Sequence, residues 1–260
     1  MKTRHHFVSI RWSAAIAAIT FSVAQAASVA PVGGEHGMVV TAHQLATKVG
    51  IDVLKQGGNA VDAAVAVGYA MAVVYPAAGN LGGGGFMTIQ LADGRKTFLD
   101  FREKAPLAAT PNMYLDSAGN VIKGASTKGH LAVGVPGSVA GLEYAREKYG
   151  TRSRGALISQ AISLAERGFV LDDGDIALFV TANKDFKDDP ATAAIFLKMG
   201  EPYKAGDRLV QEGSGKNAAP NRAAGGRCVL SGADRRCNRG IERTGKWHHH
   251  QGGSPAVQGA

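Results

Sequence analysis

The sequence is short of three things, and each shortage excludes a class of protein. Cysteine occurs only at Cys228 and Cys237, so everything before residue 212 has no disulfide framework and must hold together by packing. Long uninterrupted apolar runs are missing as well. The run at residues 14–23 falls well short of the about 20 residues that span a bilayer, and no other stretch reads as a stable membrane span. Net charge is the third: the formal total is +8, yet residues 27–211 carry 18 basic and 18 acidic side chains, which gives that body no electrostatic footprint for nucleic acid. What is present is a 45% hydrophobic content, enough for a sizeable core in a chain of 260 residues.

The excess charge sits at the two ends. Lys2, Arg4 and Arg11 precede the apolar run, which closes in Ala24-Gln25-Ala26, a small-x-small cleavage signature. Residues 1–26 are therefore expected to be an export signal cut near Ala26, placing the mature protein in the periplasm or outside the cell. Residues 27–35 read as a linker, residues 36–211 as the folded body and residues 212–260 as a separate tail.

Within the body the local signals agree with one another. The β-branched run GMVVTA (37–42) reads as a buried strand. HQLATKVGIDVLKQGG then spaces Leu45, Val49, Val53 and Leu54 as a helix ending at a glycine pair. In NAVDAAVAVGYAMAVVYP, Asn59 is a candidate N-cap and Asp62 suits the first turn; Ala and Val on nearly every face predict a helix buried between layers. Residues 86–91 and 96–101 read as strands joined through Asp93-Gly94. The pleat sends Thr97, Leu99 and Phe101 to one face and Phe98 and Asp100 to the other, so the second strand is expected to be covered on both. Helices follow from Pro136 to Gly150 and up to Gly168, and the polar remainder predicts one short helix near residues 191–197. Helices over antiparallel strands make a layered α and β fold.

Two stretches stand out chemically. Gly82 to Gly85 precede a strand, and such a run serves either a tight turn or the close approach of backbone or ligand; it has neither the phosphate-loop lysine nor the dinucleotide spacing. DFREKAP places Asp100, Arg102 and Glu103 where a strand runs out into a proline-bounded loop. That arginine is open to two readings, a donor fork for a ligand carboxylate or a surface ion pair with a neighbouring acid.

GNAVDAAVA, GNLGGGGFM, DFREKAP and GVPGSVAGL, in this order, resemble the large-subunit portion of the γ-glutamyltranspeptidases (glutathione hydrolases) over residues 36–211. The resemblance implies an N-terminal-nucleophile hydrolase with an αββα sandwich, incomplete here because the small subunit is missing. The implied activity is transfer of the γ-glutamyl group of glutathione and related amides to water, amino acids or peptides. In that family the precursor cuts itself to free a threonine, and the arginine of the D-F-R-E motif grips the substrate α-carboxylate. Arg102 matches that arginine, and Glu103 beside it is a candidate support. No metal or cofactor is implied. The attacking threonine belongs to the small subunit; Thr127, Thr151 and Thr181 stand at no recognisable processing site, so this chain alone is expected to be inactive.

The tail, residues 212–260, breaks the pattern. A permissible coding of HHHQGGSPAVQG read one base later yields IITKADLPQYK, the continuation family members carry, and RCVLSG becomes DAFYQ in the same frame. The tail is thus expected to be out-of-frame translation beginning near Glu212 and, with ten glycines in 49 residues, disordered. The alternative to the enzymatic reading is a truncated, non-catalytic product with weak carboxylate binding. A further one, a basic nucleic-acid or Cys/His metal binder, rests on the tail alone.

Overall fold

The computed structural model describes residues 31–211. The export signal and the tail, with Cys228, Cys237 and the three consecutive histidines, lie outside the described residues. The chain divides into two units, 1–38 and 39–260. In the first, residues 31–38 run exposed without helix or strand.

The second unit begins with helix α1 (Gln44–Lys55). The His43 ring nitrogen Nδ1 accepts the Leu45 N–H at its start, and Gly57, at φ +79°, turns the chain away at its end. Helix α2 (Ala60–Val74) opens with a capping box, in which Asn59 Oδ1 accepts the Asp62 N–H and Asp62 Oδ2 accepts the Asn59 N–H, both at 2.9 Å. It is the centre of the core, as its uniformly small apolar surface requires. Val65, Tyr69 and Val74 are fully buried, and α2 packs on α1 and on α3 (Ser138–Tyr149) and α4 (Arg154–Arg167). Two glycines set the spacing. A Cβ at Gly50 would lie 2.7 Å from Val39 Cγ1, and one at Gly68 would lie 2.9 Å from Leu142 Cδ2, so a side chain at either would force those neighbouring side chains to shift.

A carboxylate closes this helical layer. Asp62 is fully buried and accepts the Thr151 hydroxyl (2.6 Å), the Thr151 N–H (2.9 Å) and the Arg152 N–H (3.1 Å), joining the start of α2 to the α3–α4 corner. Burial raises its pKa, but these donors and the Asn59 amide outweigh that and hold it below the ordinary 3.8.

Strands β1 (Phe86–Gln90) and β2 (Lys96–Asp100) form an antiparallel hairpin in the register Phe86 opposite Asp100 and Thr88 opposite Phe98. One face, with Ile89, Leu99 and Phe101, joins the helical core. The expectation that β2 is covered on both faces is wrong: Phe98 is 41% exposed and Phe86 54%, and they stack on each other (centroids 5.5 Å apart) rather than on a second layer. Residues 37–42 are a second correction. They form no strand, Val40 is 81% exposed, and no partner strand lies beside them among the described residues. A β-branched run fixes extended backbone but supplies no ladder partner.

The last part is richer than expected. Besides α7 (Pro190–Phe196), it holds α5 (Asp173–Val180) and α6 (Asn183–Asp188), gathered by Phe179, Phe186 and Phe196. Short pairs β3 (Phe169–Val170) with β6 (Arg208–Leu209) and β4 (Leu197–Lys198) with β5 (Glu201–Pro202) complete it. The Gln211 side chain donates to the Val73 carbonyl at 2.7 Å, tying the chain back to α2. Among the described residues no helix is long and apolar enough to cross a membrane.

Candidate functional site

The end of β2 is held by backbone on both sides of Arg102 and Glu103. Phe101 donates its N–H to the Gly85 carbonyl (3.0 Å), and Lys104 exchanges N–H and C=O bonds with Val135 (3.1 and 2.8 Å). Between these anchors, Asp100 Oδ1 accepts the Arg102 N–H at 3.0 Å and turns the chain out of the sheet.

Three glycines clear the space around this turn. A Cβ at Gly84 would lie 2.5 Å from the Glu103 nitrogen and 2.7 Å from Arg102 Cα; one at Gly137 would overlap the Phe101 carbonyl oxygen; one at Gly141 would lie 2.5 Å from Phe101 Cβ. None of Gly82 to Gly85 sits at positive φ, so of the two sequence readings, close approach explains Gly84 and Gly85, and the required partner is the Asp-Phe-Arg-Glu segment. The run is fixed in turn by Asn80 and the start of α3. Asn80 Oδ1 accepts the Gly83 N–H (2.8 Å) and the Ser138 hydroxyl (2.6 Å), while the Gly83 carbonyl accepts the Gly137 N–H (2.7 Å) and the Ser138 N–H (3.0 Å). Asn80 and Ser138 escaped sequence reasoning, since they lie 58 residues apart and only the fold brings them together.

Arg102 carries the charge of the site. Its Nε and Nη2 donate to Glu103 Oε2 (3.1 Å) and Oε1 (3.4 Å), a side-on fork, and the guanidinium carbon lies 5.6 Å from the Phe86 ring centroid. The Glu103 carboxyl is held below its ordinary pKa by its own backbone N–H and then, against a smaller desolvation effect, by the Arg102 charge. The surface ion pair foreseen as one reading of Arg102 therefore exists, and it leaves the other reading intact: Glu103 occupies one edge of the guanidinium. The end-on edge, Nη1 with the second Nη2 hydrogen, has no hydrogen-bond partner among the described residues, on a side chain that is 56% exposed. Such an edge can take a carboxylate in two parallel hydrogen bonds.

The three threonines considered as nucleophiles have other engagements. Thr151 donates to Asp62, Thr127 to the Gly124 carbonyl and Thr181 to the Leu178 carbonyl. No group of three or more His, Cys, Asp or Glu suited to a metal ion occurs among the described residues.

A glycine run thus folds against an arginine-bearing strand end, on a hairpin backed by helices. The chain belongs to the γ-glutamyltranspeptidase family, whose model matches residues 46–217. Among its relatives, the glutathione hydrolase proenzyme of Pseudomonas sp. (strain A14) is 69% identical over 199 residues, covering 76% of this chain and 34% of that protein. The glutathione hydrolase proenzyme of Escherichia coli (strain K12) is 48% identical over 190 residues, covering 72% and 32%. The crystal structure of Helicobacter pylori γ-glutamyltranspeptidase superposes with a TM-score of 0.68 at 47% identity, covering 70% of this chain and 53% of that one. The chain thus spans about a third of the length of the two proenzymes.

Proposed function

We propose that this chain contributes the carboxylate-holding half of a γ-glutamyl transfer site that hydrolyses glutathione and related γ-glutamyl amides or passes the γ-glutamyl group to an amine. Arg102 takes the substrate α-carboxylate on its end-on edge, and Glu103 fixes the plane of the guanidinium. The observation that carries this reading is the side-on pairing of Arg102 with Glu103, which leaves the other bidentate edge without a partner among the described residues.

The chemistry follows from the substrate. A hydroxyl adds to the γ-carbonyl, the tetrahedral oxyanion collapses, the C–N bond breaks and the amine leaves with the proton given up by the hydroxyl. The resulting ester is then opened by water or a second amine. Since Thr127, Thr151 and Thr181 are engaged elsewhere, we assign the hydroxyl to a threonine of a small subunit cut from the same precursor, in keeping with the proenzyme names of the relatives. That partner would also cover the exposed Phe86–Phe98 face as the second sheet of an αββα sandwich, with residues 36–211 as the large-subunit body, residues 1–26 as a periplasmic export signal and residues 212–260 as an out-of-frame tail.

The test is titration of the full chain with L-glutamine, itself a γ-glutamyl amide, followed by NMR, beside an assay with a chromogenic γ-glutamyl anilide. Saturable glutamine binding that Arg102→Ala abolishes and that α-amidation of the ligand prevents is the expected result, without anilide turnover. Binding indifferent to both changes would refute the role of Arg102, and turnover would refute the division of labour.

A further inference from the structure

We infer that Phe86 is a positioning residue for Arg102: its ring is the platform that holds the guanidinium plane while Glu103 holds one edge. The hairpin register brings the two residues close. Phe86 pairs with Asp100, so its diagonal neighbours on the same face are Phe98 on one side and, two residues past the strand end, Arg102 on the other. Side chains alternate with a period of two, the Gly85–Phe101 pairing extends the register to Phe101, and the ring contact places Arg102 on the Phe86 side just beyond it. Phe86 accordingly stacks on Phe98 (23° between planes) and sits 5.6 Å below the Arg102 guanidinium carbon. That separation lies within cation–π range, and Arg can pair with a carboxylate edge-on while stacking through its face.

The division is complementary. Glu103 removes rotation about the Nε–Nη2 edge and Phe86 removes tilt out of the plane, so the end-on edge keeps one direction. Phe98 acts at one remove, by fixing the Phe86 ring. Within this chain Phe86 takes no part in the helical core, which Ile89 and Leu99 join from the opposite face; its ring meets Phe98 and Arg102 instead. The functional consequence, tighter capture of a carboxylate, rests on the γ-glutamyl reading; the positioning itself does not.

The experiment uses the full chain labelled with 15N. In the wild type, the Arg102 Nε–Hε group is expected to be ordered on the nanosecond scale, with its Hδ protons shifted upfield by the ring. Phe86→Leu keeps bulk but removes the π face; it should loosen Nε, abolish the upfield shift and weaken glutamine about two- to fivefold. Phe86→Trp should restore all three, which a merely structural role would not. Phe98→Leu, which leaves the Phe86–Arg102 contact in place, should give a partial loss of order and serves if Phe86→Leu does not fold. Unchanged Nε relaxation in Phe86→Leu, or in Phe98→Leu if that variant must stand in for it, overturns the proposal. If Nε loosens while glutamine binding ignores both Phe86→Leu and Arg102→Ala, the platform stands and the γ-glutamyl reading falls.

Discussion

Asp62 gives the sharpest test of how this layer is held together. Asp62→Ala removes a fully buried acceptor from the Thr151 hydroxyl and the amides of Asn59, Thr151 and Arg152, donors that are themselves only partly buried or exposed. A fully buried polar group left unpaired costs about 1–3 kcal/mol, and water reaching these partly exposed donors recovers much of the sum over four, so the expected loss is about 3–5 kcal/mol. With a urea m-value of about 2 kcal/mol/M, the midpoint should fall by about 1.5–2.5 M. Asp62→Asn retains one acceptor oxygen but turns an NH2 toward the donors, and should lose less. The pH dependence supplies a second readout. The folded pKa of Asp62 lies below the ordinary 3.8, so the carboxylate's contribution is present above 3.8 and is lost as pH falls through the lower folded value. The gap between wild type and Asp62→Ala should therefore shrink on acidification from pH 5 toward pH 2. A loss under 1 kcal/mol at pH 7, or a gap constant across that range, would refute the reasoning.

Other expectations follow from the same contacts. Gly84→Ala should displace Arg102 and Glu103, destabilising the chain by about 1–3 kcal/mol in urea unfolding and abolishing glutamine binding. Ser138→Ala, which removes a hydroxyl bonded to Asn80, should cost about 1 kcal/mol by thermal melting. Tyr69 is raised well above its ordinary value of 10 by burial and then by the Glu143 carboxylate, whose Oε1 accepts its hydroxyl at 2.7 Å. Its folded form holds the proton more tightly than its unfolded form, so stability declines as pH rises past 10. Ultraviolet titration should show one tyrosine ionising only with unfolding, and Tyr69→Phe should remove that component.

The parts of the fold legible in the sequence are those decided by neighbours along the chain. Asn59 and Asp62 sit three apart and close a capping box; Asp93-Gly94 permits only a tight hairpin; Gly57 and Gly168 end helices at positive φ. Helix α5 was open to the same reasoning, since Asp172 and Asp175 form a second capping box, but the polar run after it hid the signal. Residues 37–42 and the outer face of β2 were misjudged for a different reason. Hydrophobicity says that a face wants cover, whereas only tertiary structure says whether cover is within reach. At the site, Asp100, Arg102 and Glu103 form a visible cluster. The contribution of Phe86 depends on register, and that of Asn80, Gly137 and Ser138 on packing across more than fifty residues.

The Asp62 clasp also bears on how slowly the molecule comes apart. Its donors on Thr151 and Arg152 lie 89 and 90 residues along the chain, so the bond closes a very long loop whose entropy must be met before the contact returns anything. We expect such a contact to form on the late side of the folding barrier. Weakening it should leave refolding nearly as fast and hasten unfolding, which makes one carboxylate the governor of native lifetime.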